Sequence, residues 1–211
     1  MRHSHGLRAA TGIVLPPIGA AYEGGFFAGA ISQTANGVAT HLLIMAPYAT
    51  GYTFAQWKTT NTTTAGTGSP FDGAANTAAM VTAGIALHPA AQFCTGLSIG
   101  GYTDWYLPAP DELDIAYYNL KPTTDDNDTS FGINYYSVPT RNSTYTAGTP
   151  AQTTVAAFQL GGAEALDSNY YWSSMQDDSA YAWRLYSPNG NQGIQQKGAN
   201  SYVRAFRKVA L

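Results

Sequence analysis

Charge is scarce in this chain. Only 11% of the 211 residues are Asp, Glu, Lys or Arg, and the formal net charge is −3. Lys and Arg form no stripe or cluster, so the electrostatic footprint of a nucleic-acid binder is missing. Cysteine is scarcer still. Cys94 stands alone, which excludes an internal disulfide and leaves packing, hydrogen bonding or oligomerisation to stabilise the fold. No run of eighteen apolar residues occurs, so the sequence predicts no membrane-spanning helix and no membrane insertion. A Gly-rich phosphate loop and a Gly-x-Ser-x-Gly nucleophile elbow are both absent. The histidines His3, His5, His41 and His88 are too scattered for a zinc set. Nothing in the sequence asks for a cofactor.

What is present argues for order. Apolar residues make up 45% of the chain, with 15 Tyr, 22 Gly and 11 Pro, a balance that disorder does not produce. The length suits one well-formed core. Low charge with abundant Tyr, Thr, Asn and Gly resembles the makeup of extracellular and virion β-rich proteins. The apolar stretch from Ala9 to Leu15 is cut by Pro16-Pro17, at the lower limit for a secretory signal. Residues 1–17 therefore read as a linker or an attachment within an assembly, and residues 18–211 as one domain.

Phe26–Ile31 and Val38–Met45 flank Asn36-Gly37, a hairpin signal, and the second run is apolar enough to be covered on both faces. A Thr-rich loop is expected from Tyr48 to Gly73, with Trp57 as its packing anchor. Two helices are predicted. One spans Ala74–Phe93, broken at His88-Pro89. The other opens at Pro110-Asp111-Glu112, carries Leu113, Tyr117 and Leu120 on one stripe, and is closed by Pro122. Residues 121–160 read as an insertion, functional or mobile rather than core, with Thr153–Leu160 a short strand or helix. Strands follow at Tyr170–Ser174, Tyr181–Tyr186, Gln192–Lys197 and Tyr202–Val209, with the tightest turn at Pro188-Asn189-Gly190.

Two aromatic signatures stand far apart. Gly101-Tyr102-Thr103-Asp104-Trp105-Tyr106-Leu107-Pro108 is followed by Glu112-Leu113, and Tyr171-Trp172-Ser173-Ser174 by Ala182-Trp183, Gly190 and Val203-Arg204-Ala205-Phe206-Arg207. In this order they resemble the Lcl C-terminal domain family, over about Gly19 to Val209. The resemblance implies an α+β, C-type-lectin-like fold, with two helices packed on mixed, mainly antiparallel sheets and long loops. It also implies a setting in bacterial surface proteins or phage tail fibres. Many retroelement-diversified proteins share this C-terminal layout. The chain departs from relatives at Ser187-Pro188, where a bulky apolar residue is common. Formylglycine-generating enzymes share the scaffold distantly but need two reactive cysteines, which a lone Cys94 does not supply. Cys94 reads as a buried core thiol.

Trp105, Trp172 and Trp183 offer a sugar-stacking platform, but each sits in a scaffold motif, where large rings fill cores. Arg204 and Arg207, three apart in one apparent strand, fall on opposite faces. One of them is expected to bridge to Asp104 or Glu112. Asp125-Asp126-Asn127-Asp128 lacks the glycine and terminal Glu of a calcium loop and reads as a solvated turn. Glu112 and Asp114, two apart on a helix, do not face each other as a glycosidase pair must.

The candidate ligand-binding set is the polar group between scaffold residues of the C-terminal block: Met175, Gln176, Asp177, Asp178, Ser179, Tyr181, Arg184, Tyr186, Asn189, Asn191 and Gln192. Tyr supplies rigid contact area, and Asn, Gln and Ser supply adaptable hydrogen bonds. Alternation separates Tyr181 from Arg184 and Tyr186, so they cannot all point one way. The expected function is a non-catalytic receptor-binding domain at a phage tail-fibre tip, engaging a host-surface glycan or protein. Its partners would be other virion tail proteins and its own copies in a homotrimer. A bacterial surface adhesin of the same fold and a glycan-processing enzyme are the alternatives.

Overall fold

The computed structural model describes residues 15–211. Most of the expected linker therefore lies outside the described residues, and Leu15 already packs against the core. In chain order the strands are β1 (Ala21–Tyr22), β2 (Gly25–Ile31), β3 (His41–Met45), β4 (Tyr52–Gln56), β5 (Ser137–Val138), β6 (Tyr170–Gln176), β7 (Tyr181–Tyr186), β8 (Gln192–Gln196), β9 (Asn200–Arg204) and β10 (Phe206–Ala210). The helices are α1 (Tyr48–Gly51), α2 (Gly73–Thr82), α3 (Pro89–Thr95) and α4 (Pro110–Leu120). The architecture is α+β, with four helices among the described residues where two were expected.

Two sheets carry the fold. The first has the order β1-β2-β3-β10, with β5 paired to the end of β2; the second runs β4-β9-β6-β7-β8. The predicted hairpin around Asn36-Gly37 is the β2–β3 pair, and β3 is buried at all but its first residue. Every named pairing is antiparallel except β6 with β9. The single strand expected over Tyr202–Val209 is two. At Ala205 the chain leaves one sheet for the other, the Ala205 amide donating to the Gly51 carbonyl and its own carbonyl accepting from Ala46. Arg204 and Arg207 thus belong to different sheets rather than to opposite faces of one strand.

Helix α4 forms as its sequence dictates. Pro110 presets the first turn, Asp111 and Glu112 sit at the positive end of the dipole, and Leu113, Tyr117 and Leu120 are buried. Its approach to β2 requires a glycine. Gly29 has φ +144°, and a Cβ there would fall 2.5 Å from the Asn119 amide and 2.6 Å from Ile115. The Ala74–Phe93 helix breaks at His88-Pro89 as expected, and also at Gly84, whose φ of +107° ends α2. One 3-10 turn, Ile85–Leu87, bridges α2 and α3.

Other expectations need correction. The Thr-rich stretch after Tyr48 is not all loop, since α1 and β4 lie within it. Residues 121–160 are not peripheral: Asn127, Asn134, Tyr145 and Phe158 are buried, and β5 extends the first sheet. The Asn134 side chain explains much of this order, donating to the Asp111 carbonyl and to Asp114 while accepting from the Tyr136 and Ser137 amides. Thr153–Leu160 resolves as a 3-10 turn at Ala156–Phe158. Trp57, Trp105 and Trp172 fill one core and Tyr117, Tyr171 and Phe206 the other. Cys94 is buried in the first, where desolvation raises its thiol pKa well above the ordinary value.

Candidate binding surface

The C-terminal sheet positions most of the predicted site residues, and its register decides which can act together. Tyr170 lies opposite Tyr186, and Trp172 opposite Arg184; Arg184 in turn lies opposite Gly193. Alternation therefore places Tyr170, Arg184 and Tyr186 on one face. The Tyr170 and Tyr186 ring centroids are 4.6 Å apart, and the Arg184 guanidinium carbon sits 3.7 Å from the Tyr170 ring centroid. All three are half-buried. Burial lowers the Arg184 pKa, and its Nε finds no partner among the described residues. Gly193 has no side chain to cover the guanidinium from the β8 side. The result is a planar cation over one ring of a tilted aromatic pair, an arrangement suited to gripping a flat or ring-shaped ligand.

The eleven predicted residues do not form one patch. At the β6–β7 tip, the Gln176 carbonyl Oε1 accepts from the Thr64 amide and the Lys197 ammonium, and the Asp178 carboxylate accepts from the Ala180 and Tyr181 amides. Met175 is half-buried, while Asp177 and Ser179 are exposed beside them. At the other end of β7, roughly 17–20 Å away at ~3.3 Å per residue, Asn191 donates to Asp128 at 2.7 Å and Asn189 accepts from the Asn191 amide. Those two asparagines fasten the β7–β8 turn to the 121–160 segment. Tyr181 and Gln192 share the reverse face with Trp183 and Ile194. Between these two groups Arg184 and Tyr186 stand on one face, completed by Tyr170, which hairpin register marks although the predicted set omits it.

A second aromatic row was also missed. Tyr48 stacks on Tyr52 at 4.4 Å, Tyr52 on Tyr202 at 5.4 Å, and Phe54 meets Tyr202 at 5.0 Å along the β4 edge of the same sheet. The period-2 pattern Tyr52-Thr53-Phe54-Ala55-Gln56 was the available signal. Trp105 and Trp172 are buried scaffold, as expected, whereas Trp183 is half-buried.

Several charged and polar groups elsewhere are committed to structure. Arg207 makes the expected bridge, holding Asp104 through two bonds of 2.7 and 3.0 Å and Glu23 through one of 2.9 Å. That explains why the mid-chain signature and the final arginine occur together. Arg204 pairs instead with Glu164. The Asn127 side chain turns inward and donates to the carbonyls of Thr146, Ala147 and Pro150, so it does not join Asp125 and Asp126 as a cation ligand. Among the described residues no three His, Cys, Asp or Glu side chains cluster as a metal site.

The α4 carboxylates diverge. Asp114 meets Tyr145, Asn134 and Arg141, while Glu112 accepts from the Tyr106 hydroxyl and the Ala109 amide, each at 2.8 Å. Burial pushes the Glu112 pKa up from 4.5 to about 7. The folded chain therefore keeps this proton at pH values where the unfolded chain has lost it. The stabilisation is full below the unfolded pKa and vanishes as pH rises through about 7. Thermal melts between about pH 5 and pH 8 should show Glu112→Gln less sensitive to rising pH than the parent, by roughly 3 kcal/mol at ~1.4 kcal/mol per pH unit. Parallel pH profiles for the two proteins would refute the assignment.

No curated protein matches the chain. Among solved structures, a fimbrial protein from Bacteroides ovatus aligns at a TM-score of 0.44 and 15% identity over 82% of this chain, which spans 36% of that protein. That likeness is too weak to carry an argument. The model of the Lcl C-terminal domain, by contrast, matches residues 52–207, a span that includes both aromatic signatures and the arginines closing the second, though not the first strands of the expected resemblance. The chain belongs to the Lcl C-terminal domain family.

Proposed function

We propose that this chain is a non-catalytic, adhesin-type receptor-binding domain of C-type-lectin-like fold, carried at the tip of a phage tail fibre. It engages a host-surface glycan or protein through the polar and aromatic face of its C-terminal sheet. Family membership supports an adhesin-type domain. The observation that carries the reading is the Tyr170–Arg184–Tyr186 cluster, whose guanidinium is held 3.7 Å from the Tyr170 ring centroid, with no β8 side chain at Gly193 to cover it. Tyr and Arg dominate the energetics of binding surfaces. The binding reading is further supported by the buried carboxylates Glu112 and Asp114, which serve separate structural networks instead of flanking a cleft. Other virion tail proteins would hold the domain in place, and a homotrimer would multiply weak contacts into firm attachment.

The test is adhesion of purified chain to a panel of bacterial cells, intact and stripped of surface polysaccharide. Arg184→Ala/Tyr186→Ala is expected to lower binding by at least about tenfold while still folding cooperatively, at a stability cost of about 1–3 kcal/mol because both side chains are half-buried. Undiminished binding by that variant, or cleavage of the polysaccharide by the purified chain, would overturn the reading.

A further inference from the structure

A second recessed surface lies away from the C-terminal sheet. A cleft of about 280 Å³ opens between Tyr118 on α4 and the loop over residues 140–149. It adjoins another of about 220 Å³ that shares Tyr118, Thr140 and Arg141. Taken together they reach the lower range of small-molecule sites, roughly 300–1,000 Å³.

The lining has a definite chemistry. Along the rim, Thr140, Asn142, Ser143, Thr144 and Thr149 present hydroxyls and an amide, and these groups have no side-chain hydrogen bond among the described residues. On the floor the Arg141 guanidinium lies 4.4 Å from the Tyr118 ring centroid. Its charge is already answered: it pairs with Asp114, and its Nε donates to the Gly132 carbonyl at 3.1 Å. The lip is preset by two antiparallel bridges. Asn134 and Arg141 exchange backbone bonds of 2.9 and 3.1 Å, and Thr146 and Thr149 bonds of 3.1 and 3.2 Å. Behind them the buried Tyr145 is fixed by its hydrogen bond to Asp114.

An anion would find no free cation here, and an apolar ligand would strand the rim hydroxyls without partners. A polyhydroxylated neutral ring meets both conditions. Its hydroxyls can exchange bonds with the rim, and its C–H face can rest on the Tyr118–Arg141 shelf. We propose that this cleft is a recognition site for a neutral glycan, one or two sugar units long. Because the lip is already ordered, little conformational entropy is lost when the ligand enters. The cleft shares no residue with the Tyr170–Arg184–Tyr186 face, so the two proposals stand or fall separately.

Saturation-transfer NMR on the purified chain tests the site. The neutral probes are the methyl glycosides of glucose, mannose, galactose and N-acetylglucosamine and their disaccharides; sialyllactose and a heparin disaccharide are the anionic probes. At least one neutral probe is expected to show transfer. Thr144→Val/Thr149→Val, which deletes two hydroxyls at nearly constant volume, should weaken its binding by at least about tenfold. Ser143→Trp should block the cleft, and Arg184→Ala/Tyr186→Ala should leave this signal unchanged. The varied rim positions are exposed, and circular dichroism checks that each variant folds; the valine pair decides if the tryptophan variant does not. Transfer to no neutral probe, transfer only to the anionic probes, or binding that survives the valine pair would each overturn the proposal.

Discussion

Arg204→Leu is expected to cost about 3–5 kcal/mol of folding stability, the range for breaking a buried ion pair from one side. Arg204 is fully buried. Its Nε donates to the Ala46 carbonyl at 2.6 Å, and its Nη2 to Glu164 at 2.8 Å. Burial holds its pKa down at about 10 even though the Glu164 carboxylate pulls it up. The side chain also lies 5.2 Å from the Tyr48 ring, and Glu164 accepts from the Tyr48 amide. One guanidinium thus ties β9, the end of β3, α1 and the Glu164 loop together where the chain passes between sheets. Leucine would fill much of the volume but leave the Ala46 carbonyl and the Glu164 carboxylate short of a donor. Arg204→Lys keeps the charge and loses the planar fork, so an intermediate loss of about 2 kcal/mol is expected. Urea unfolding at unchanged m-value is the measurement. A leucine variant within about 1 kcal/mol of the parent would mean that the network carries no net stability.

Much of the scaffold was legible because short-range rules and tertiary packing agree there. The β2–β3 hairpin has an Asn-Gly turn between apolar runs, and α4 has its proline, its acidic first turn and a stripe at spacings of four and three. Elsewhere the local pattern conceals the outcome. Residues 202–209 contain no glycine, proline or other turn residue to mark a break, and only the tertiary contacts of Ala205 with Gly51 and Ala46 split them between sheets. Strand β4 was hidden in a Thr-rich stretch because its pairing partner, β9, lies far along the chain. The alanine-rich segment reads as continuous helix as far as His88, since a glycine such as Gly84 does not by itself announce a positive φ.

The site was less legible than the fold, for a related reason. Parity along β7 correctly separated Tyr181 from Arg184 and Tyr186, because side-chain direction in a strand follows from counting. Counting does not reveal which polar groups are already satisfied. Asn191 looks free in the sequence, yet it bonds Asp128 at a separation of 63 residues. Gln176 likewise bonds the Thr64 amide 112 residues away. The Arg207–Asp104 bridge was anticipated because both ends lie in recognisable signatures. The Arg204–Glu164 pair was not, because Glu164 sits in a connecting stretch with no motif around it.

Trp57→Ala should be comparably damaging, at about 3–5 kcal/mol, and its effect should spread beyond the vacated volume. Trp57 is fully buried, and its indole N–H donates to the Ser173 carbonyl at 2.9 Å. Alanine would therefore open a cavity and also strip a strand carbonyl of its partner. The Lys197 ammonium lies 4.8 Å from the indole ring centroid and donates to the Asp178 and Ser179 carbonyls and to Gln176. Removing the ring takes away the surface against which that lysine is held, so the β6–β7 tip should loosen together with the core. Native-state hydrogen exchange should then report faster exchange at the Ala180 and Tyr181 amides, which Asp178 caps, than at amides of the distant β2–β3 pair. Trp57→Phe keeps an aromatic face beneath Lys197 while losing the indole donor, so it should cost roughly half as much and leave the tip protected. Equal acceleration at the tip and in β2–β3 would show that Trp57 only adds global stability and that Lys197 holds the tip without it.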